Sequence, residues 1–167
     1  MAYDYGSVMA EGNWPEGWEQ MLSSIDRQDV YSQPDGNYGL ETEPHVTVLY
    51  GLHDEVHGDL VCRVCQGLEK PLEVDVQGVS SFKKEDYDVL KLDVESDMLR
   101  KMNKAFRAFP HTNDYDEYKP HMTLAYLNKG TADKYKKDVS SLAPDSMTLP
   151  RMKFQPSGSS DPIKFSL

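Results

Sequence analysis

The chain has 167 residues, of which 38% are hydrophobic and 28% are charged, and its formal net charge is −10 at pH 7. This composition predicts one soluble globular domain over residues 1–167 and excludes a membrane span, which requires about 20 consecutive apolar residues. The acidic balance also excludes a protein that tracks long nucleic acid, because such a protein needs a basic stripe to neutralise phosphates. A small phosphate ligand, bound by a few donors in a local basic pocket, remains compatible with it.

Two features of the sequence indicate the cellular compartment. The amino-terminal residues MAYDYGSVMA lack the basic run and the apolar core of a signal peptide. The two cysteines, Cys62 and Cys65, lie in one short stretch and do not suggest a disulfide framework. We therefore expect a protein of the reducing cytoplasm.

The first half of the chain predicts strands and helices in alternation. A strand is predicted over residues 3–10, and Pro15 begins a helix that runs to about Ile25. Residues 32–44 are rich in glycine, proline and polar residues and predict a loop, which leads into a strand at 45–50. A helix over 54–68 follows, because apolar residues recur on one face there. These residues are Val56, Leu60, Val61, Val64 and Leu68.

The second half continues the alternation. Apolar and polar residues alternate over 72–77 and again over 90–94, which predicts two antiparallel strands. Ser96 is a suitable N-cap for the next helix, and Pro110 ends it. The remaining predicted elements are an acidic loop at 111–120, a strand at 121–127, a short helix near 131–140 and a closing β-ribbon at 147–154 and 163–167. Together these elements predict an α+β fold with a largely antiparallel sheet.

A short internal repeat is the most informative feature of the sequence. Residues 43–52 read EPHVTVLYGL and residues 119–128 read KPHMTLAYLN, so proline, histidine, threonine and tyrosine recur at matching positions. From the numbers of histidines and threonines in the chain, roughly 0.2 His-x-Thr triplets are expected by chance. Two copies in matching contexts indicate a functional motif.

The spacing within each copy predicts shared chemistry. In a strand, residues i and i+2 project from one face, so His45 points with Thr47 and His121 points with Thr123. If the two strands lie in the middle of one sheet, two imidazoles and two hydroxyls meet in one cleft. The imidazoles could then act as base and acid on either side of a phosphorus atom without a metal. The hydroxyls could bind the non-bridging oxygens as charge builds on them.

This pattern resembles the 2H phosphoesterase superfamily, which includes bacterial 2′-5′ RNA ligase-like proteins and plant and yeast cyclic phosphodiesterases. The resemblance implies a bilobal fold of two mostly antiparallel β-lobes with outer helices and a central cleft, built from pseudo-repeated halves that each carry one motif. It implies His45, Thr47, His121 and Thr123 as the catalytic residues, with no cofactor and no metal.

Within that superfamily, the stretch YGLETEPHVTVLYGLHDE is similar to phage anti-CBASS phosphodiesterases, which destroy the cyclic oligonucleotide signals of bacterial defence systems. This closer resemblance implies a cyclic di- or trinucleotide with 3′-5′ linkages as the substrate and the host bacterial cytoplasm as the location. The ribose 2′-hydroxyl would attack the phosphorus, and water would then open a 2′,3′-cyclic phosphate. The sequence does not decide which imidazole starts as base; we expect His45 as base and His121 as acid.

Other functions remain open at this point. The protein could hydrolyse 2′,3′-cyclic phosphate ends or 2′-5′ oligonucleotides in RNA processing, or it could be a non-catalytic sponge for a cyclic nucleotide. The intact histidine pair disfavours a sponge, because binding alone needs no proton transfer. The oligomeric state and the base preference are left open.

Substrate-binding residues are harder to identify. Bases need aromatic platforms, and the candidates are Tyr38, which lies beside a glycine just before the first motif, and Trp14. Lys119 is the candidate cation. Weaker candidates, each more typical of a core or solvated position, are Tyr115, Phe82, Phe154 and Lys91. Tyr50 and Tyr126 fall at odd offsets from the motif histidines, so we expect them on the opposite strand face, in sheet packing.

Two stretches of the sequence contain residue types that can bind metal ions. His53, His57, Cys62 and Cys65 are all possible zinc ligands, but on one helix they would spread over half the circumference. We therefore expect an ordinary helix with two boundary cysteines. The acidic run NDYDEY at 113–118 lacks the glycine and the later glutamate of an EF-hand. We expect a solvated loop there, positioned to gate the cleft.

Overall fold

The computed structural model describes residues 4–67 and 71–167. In chain order the elements are β1 (Gly6–Glu11), α1 (Trp18–Ser23), β2 (His45–Leu52), α2 (Gly58–Gln66), β3 (Leu72–Lys83), β4 (Tyr87–Glu95), α3 (Asp97–Phe106), β5 (His121–Asn128), α4 (Lys136–Leu142), β6 (Ser146–Leu149), β7 (Arg151–Gln155) and β8 (Ile163–Ser166). Two predicted positions, Tyr3 of the first strand and Leu68 of the second helix, lie outside the described residues. No helix in the described ranges is long and apolar enough to cross a membrane.

The strands form two antiparallel sheets. Sheet A has the order β2-β1-β7-β8, and sheet B has the order β5-β4-β3-β6. The strands that carry the His-x-Thr motifs, β2 and β5, are each the edge strand of a different sheet, and they lie against each other. The expectation that both motifs lie in the middle of one sheet is therefore wrong. The predicted α+β fold with two antiparallel β-lobes is confirmed.

The helices pack on the outside of the sheets through apolar faces. In α3, the Ser96 hydroxyl accepts a hydrogen bond from the Leu99 amide over 3.3 Å, which is the predicted N-cap. Leu99, Met102 and Phe106 on this helix are buried, and α3 contacts β2. This packing places α3 directly behind the first motif.

Two helices begin later than predicted. The first starts at Trp18 rather than Pro15, because Gly17 adopts a left-handed conformation at φ 81° and ends a turn that Pro15 opens. The second starts at Gly58, because residues 53–56 first form a turn in which the Val56 amide bonds to the His53 carbonyl. Apolar side chains still enter the core from both segments.

Pro150 divides the strand that was predicted over 147–154. Before it, β6 pairs with β3 in sheet B; after it, β7 pairs with β1 and β8 in sheet A. Proline has no N–H to contribute to a ladder, so the chain leaves one sheet here and enters the other. The closing segment therefore connects the two sheets.

The free edge of β5 is covered by the loop over residues 30–41. The Tyr31 amide donates to the Tyr126 carbonyl, and the Tyr126 amide donates to the Gly39 carbonyl, both over 2.9 Å. These bonds satisfy backbone groups that an edge strand otherwise leaves unpaired. They also bring Tyr38 next to the second motif.

Candidate active site

The first motif strand contains a β-bulge directly after its threonine. In the pairing of β2 with β1, Thr47 lies opposite Met9 and Leu49 lies opposite Val8, so Val48 has no opposing residue. A bulge inserts one residue into the strand. Two side chains on opposite sides of the bulge therefore share a face when they are an odd number of residues apart, instead of an even number.

The second motif strand contains the same bulge. Thr123 lies opposite Lys91 and Ala125 lies opposite Leu90, which leaves Leu124 as the extra residue. Its carbonyl accepts a hydrogen bond from the Glu41 amide over 2.8 Å. The repeat in the sequence is thus a repeat in backbone geometry.

The two bulges correct the expected position of the motif tyrosines. Tyr50 and Tyr126 were expected on the opposite face from the histidines, but both line one cavity together with Thr47 and Thr123. Because each bulge inserts one residue, an offset of three from the threonine returns the side chain to the threonine's face. The signal was present in the sequence, since tyrosine recurs at this position in both copies.

The cavity over the two motif strands, here called the active-site cleft, has a volume of about 690 Å³. Thr47, Thr123 and His121 line it, and the acidic loop at 113–118 forms part of its wall. His45 does not line the cleft itself; it lies two residues before Thr47 on the same face of β2. The two motifs therefore meet at one site.

The two histidines are held in the same way. His45 Nδ1 lies 2.7 Å from the Glu43 carbonyl oxygen, and His121 Nδ1 lies 3.0 Å from that of Lys119. Since a carbonyl oxygen only accepts, Nδ1 must carry a proton in each ring. Within the described residues neither Nε2 has a hydrogen-bond partner, so Nε2 is the nitrogen that is available for proton transfer.

His121 lies in a more enclosed environment. The Phe82 ring packs edge-on against its imidazole with 5.1 Å between centroids. Burial is the main cause that lowers the pKa of His121; the charges of Lys91 and His45 act in the same direction, while the Lys119 carbonyl opposes them.

Lys91 is not the solvated lysine that was expected. It is only 7% exposed, and its ammonium donates to Ser80 Oγ over 2.6 Å and to Asp93 Oδ1 over 2.5 Å. The same ammonium lies 4.4 Å from the centre of the Phe82 ring. Because Asp93 lies opposite His121 and Lys91 lies opposite Thr123, this ion pair shares the face of the second motif.

A carboxylate lies beside each motif histidine. Glu11 on β1 is the cross-strand neighbour of His45, and Asp93 on β4 is the cross-strand neighbour of His121. Glu11 is buried, whereas Asp93 is partly exposed and paired with Lys91. Neither carboxylate is predicted from the sequence, because cross-strand partners depend on strand register, which the sequence pattern of a single chain does not reveal.

The acidic loop is tied to the site by specific bonds. The Tyr118 hydroxyl donates to the Thr47 carbonyl over 2.9 Å, and burial raises the pKa of Tyr118 well above its usual range. Arg107 Nη2 donates to the Tyr115 carbonyl over 3.0 Å, and Arg100 Nη1 donates to the Tyr118 carbonyl over 3.3 Å. The loop is therefore a fixed wall of the cleft in this structure.

Four tyrosines form a cluster at one end of the cleft. The members of this tyrosine cluster are Tyr31, Tyr38, Tyr87 and Tyr126, and their neighbouring ring centroids are 5.0–5.7 Å apart. Tyr87 and Tyr126 line the cleft, and Tyr38 packs on both of them. Tyr38 has a left-handed backbone at φ 70°, which is unusual for a bulky residue.

The other expected substrate-binding residues lie in different environments. Lys119, Tyr115 and Phe82 line the cleft. Trp14 is 48% exposed but lies outside the cleft, along two smaller depressions. Phe154 is buried in the hydrophobic core, so the suggestion that it contacts a ligand is wrong.

The four possible zinc ligands do not form a metal site. His53 Nε2 lies 2.8 Å from Thr112 Oγ1, and its ring stacks on Tyr5. Cys62 is half-buried and Cys65 is buried on α2. Across residues 4–67 and 71–167, no group of three or more His, Cys, Asp or Glu side chains is arranged to hold a metal ion, and this includes the acidic loop.

Solved structures with a similar fold come from yeast and bacteria. Kluyveromyces marxianus Usb1 with uridine monophosphate has a TM-score of 0.64, 11% identity and coverage of 98% of each chain. Escherichia coli LigT complexed with ATP has a TM-score of 0.54 and 10% identity, over 100% of this chain and 99% of that chain. At these identities the likeness shows the fold, and it agrees with the predicted 2H phosphoesterase fold.

The sequence itself also matches a family. No curated protein matches the chain, but the family model described as the 2′-5′ RNA ligase superfamily matches residues 15–156, which include both motifs. The chain therefore belongs to the 2′-5′ RNA ligase superfamily, the 2H phosphoesterases.

Proposed function

We propose that the protein is a phosphodiesterase in which His45 and His121 act as general base and general acid on the 3′-5′ bonds of cyclic di- or trinucleotides. The observation that supports this proposal is that the two imidazoles have the same hydrogen-bonding arrangement. Each has Nδ1 tied to the carbonyl two residues earlier and Nε2 without a partner in the described part of the chain. Two such groups on adjoining strands can take and give a proton without a metal.

In the proposed first step, the ribose 2′-hydroxyl oxygen bonds to the phosphorus while the bond from phosphorus to O5′ breaks. The base takes the 2′-hydroxyl proton on Nε2, and the acid gives its Nε2 proton to the departing O5′. A 2′,3′-cyclic phosphate results. Water then adds to the phosphorus with the two histidines in exchanged roles, one P–O bond of the ring breaks, and the ring oxygen takes a proton.

The environment of the histidines favours one order of roles. A base must be neutral when it takes the proton, and the lowered pKa of His121 keeps that imidazole neutral to more acidic pH than an exposed histidine. We therefore propose His121 as the base of the first step and His45 as the acid. This is the reverse of the order expected from the sequence.

The remaining residues of the cleft fit the same reaction. Thr47 and Thr123 offer two hydroxyl donors at the junction of the motif strands, where they would bind the non-bridging phosphate oxygens. The tyrosine cluster offers ring faces and edges for a base, and stacking of that kind tolerates any base. Lys119 at the rim of the cleft would add positive charge.

A small nucleotide suits the charge and the size of the site. The chain carries a net charge of −10, which disfavours a long polyanion but not a ligand with two or three phosphates. The similar structures of Usb1 and LigT hold uridine monophosphate and ATP, which are small nucleotides. The resemblance of residues 38–55 to phage anti-CBASS enzymes supports cyclic oligonucleotide signals as substrates and immune evasion in a host cytoplasm as the biological role.

A second candidate is hydrolysis of 2′,3′-cyclic phosphate ends or of 2′-5′ oligonucleotides. The description of the matching family favours it, because that description names a 2′-5′ linkage. Its chemistry would use the same histidines, so the substrate alone distinguishes the two candidates.

The experiment incubates the protein with a panel of substrates in the presence of a chelator and identifies the products by mass spectrometry. The panel would contain cyclic di- and trinucleotides with 3′-5′ bonds, linear 2′-5′ dinucleotides and 2′,3′-cyclic mononucleotides. Linear products from the cyclic ligands support the proposal, and cleavage restricted to the other two classes supports the second candidate. Recovery of intact cyclic ligand from the denatured protein, with no product, would indicate a sponge and contradict both.

A further inference from the structure

A group of cations lies on the face of sheet A that carries His45. Opposing residues in antiparallel strands share a face. Glu11 lies opposite His45 on one side and opposite Arg151 on the other, which puts all three on one face. Arg151 is therefore two strand spacings, or about 10 Å, from the strand of His45.

The next row on the same face adds two lysines. Met9 lies opposite Thr47 and opposite Lys153, and Lys153 lies opposite Lys164. The basic cluster, defined here as Arg151, Lys153 and Lys164, thus continues the row of the first motif across the sheet. It is a local basic surface in an acidic protein.

The cluster is organised around one buried carboxylate. Glu11 lies 3.6 Å from Arg151 Nε, 3.9 Å from Lys153 Nζ and 3.6 Å from Lys164 Nζ. Lys153 also lies 3.8 Å from exposed Glu43. Three cations exceed these two carboxylates, so the surface keeps positive charge.

Hydrogen-bonding capacity in the cluster is not used up. In the described parts of the chain, Lys153 and Lys164 make only these long ion pairs and donate no hydrogen bond within 3.5 Å. Arg151 Nη1 donates to Asn13 Oδ1 over a distance of 2.5 Å, whereas its buried Nε and Glu11 Oε2 have no hydrogen-bond partner there. Ammonium groups with spare donors are suited to phosphate oxygens.

A depression with an exposed aromatic ring adjoins the cluster. Its volume is about 400 Å³, and Trp14, Pro44, Arg151 and Lys164 are among the residues that line it. Trp14 has a backbone φ of 30°, a strained conformation for a bulky side chain. Pro44 directly precedes His45 in the chain, so this depression reaches the start of the first motif strand.

We propose that the basic cluster and Trp14 form a second nucleotide subsite, in which Lys153, Lys164 and Arg151 bind a phosphate one nucleoside away from the reacting one, and Trp14 stacks on a base. The proposal rests on the proposed function for the nature of the ligand. A phosphate site would explain why three cations lie together on the motif face of sheet A in an acidic chain.

The test compares two probes by calorimetry, adenosine 2′,5′-bisphosphate and adenosine 2′-monophosphate. The wild-type protein should bind the bisphosphate roughly tenfold more tightly than the monophosphate. Charge-assisted contacts to the second phosphate can supply this gain in affinity. The double variant Lys153→Gln/Lys164→Gln should lose that gain and bind the monophosphate as before. The double variant Lys101→Gln/Lys104→Gln removes the same charge from exposed positions on α3 and should keep the gain.

Two further readouts sharpen the result. Glu11→Gln removes the negative charge from the cluster and should tighten the bisphosphate selectively, with thermal melting used to confirm that the variant is folded. The bisphosphate should quench the fluorescence of exposed Trp14 in the wild type, whereas Trp14→Phe, which leaves only buried Trp18, should show no quenching.

Equal affinity of the wild type for the two probes would overturn the subsite, as would an equal loss in the control double variant. Binding does not require catalysis. If the protein binds the bisphosphate selectively but cleaves nothing in the panel, the proposed function is refuted and the subsite is retained. If it cleaves substrates in the panel but binds the two probes equally, the subsite is refuted and the proposed function is retained.

Discussion

The side-chain amide of Asn103 donates a hydrogen bond to the carbonyl oxygen of Val48 over 2.8 Å. Val48 is the extra residue of the bulge in β2, so this bond satisfies a carbonyl that lies outside the regular ladder. Asn103 Oδ1 in turn accepts from Arg107 Nε over 3.1 Å, and Arg107 holds the Tyr115 carbonyl in the acidic loop. Helix α3 thus connects the bulge of the first motif to the wall of the cleft.

Replacement of Asn103 by aspartate should separate these two bonds. The carboxylate still accepts from Arg107 but cannot donate to Val48, so a buried carbonyl loses its partner. We expect the free energy of unfolding to fall by about 1–3 kcal/mol and kcat/KM to fall with it, because Thr47 lies beside the bulge. Chemical denaturation and steady-state kinetics measure the two effects. Asn113→Asp is the control. Asn113 also donates to a β2 carbonyl, that of Tyr50, but this hydrogen bond is exposed to solvent, so the free energy of unfolding of the variant should change little.

The threonines should act in the transition state more than in binding. Thr47→Ala or Thr123→Ala removes a hydroxyl that we propose binds the phosphate, and we expect kcat to fall roughly tenfold to a hundredfold, less than for the histidines. Thr47→Ser and Thr123→Ser keep the hydroxyl and should restore most of the rate. If the alanine and serine variants were equally slow, the hydroxyls would have no role in the chemistry.

The charge of Lys91 should be visible in the titration of His121. A nearby positive charge disfavours protonation of an imidazole, so Lys91→Met should raise the pKa of His121, and Asp93→Asn should lower it. Histidine titration by NMR measures this directly. If His121 is the first base, the acidic limb of kcat/KM should move to higher pH in Lys91→Met. No movement of the His121 titration in either variant would contradict the environment described for it.

The tyrosine cluster should contribute through its rings and not through its hydroxyls. Tyr126→Leu removes the stacking surface nearest the second motif, and we expect KM for a cyclic dinucleotide to rise roughly fivefold to a hundredfold. Tyr126→Phe keeps the ring and should leave KM almost unchanged. An equal rise in both variants would show that the hydroxyl, and not stacking, matters at this position.

The sequence predicted the two motif strands better than their arrangement. The repeated His-x-Thr motif identified two strands and four polar side chains, because strand periodicity and residue type are local properties. It could not place β2 and β5 at the edges of two sheets, since strand order depends on contacts that are distant in sequence.

The errors at single residues have the same origin. Tyr50 and Tyr126 were assigned to the wrong face because a bulge changes the parity of a strand. The extra residues, Val48 and Leu124, are not the glycine that often marks a bulge. Lys91 was expected in solvent, yet its burial depends on Asp93 and Ser80 across the strand pair. Glu11 and Arg151 belong to no sequence motif, and only the register of β1 with β2 and β7 brings Glu11 beside His45 and Arg151 onto the same face.

The proposed mechanism requires two imidazoles to act on one phosphorus atom. The most direct measurement is the single-turnover rate of cyclic dinucleotide cleavage, with a chelator present, for His45→Ala, His121→Ala and the double variant. His111→Ala is the matched control, because His111 Nδ1 also bonds to the carbonyl two residues earlier but lies outside both motifs. We expect each motif variant to lose roughly 10²-fold to 10⁴-fold, the double variant to be about as slow as the slower single variant, and His111→Ala to match the wild type. A wild-type rate in a folded His45→Ala or His121→Ala variant would contradict catalysis by the two histidines.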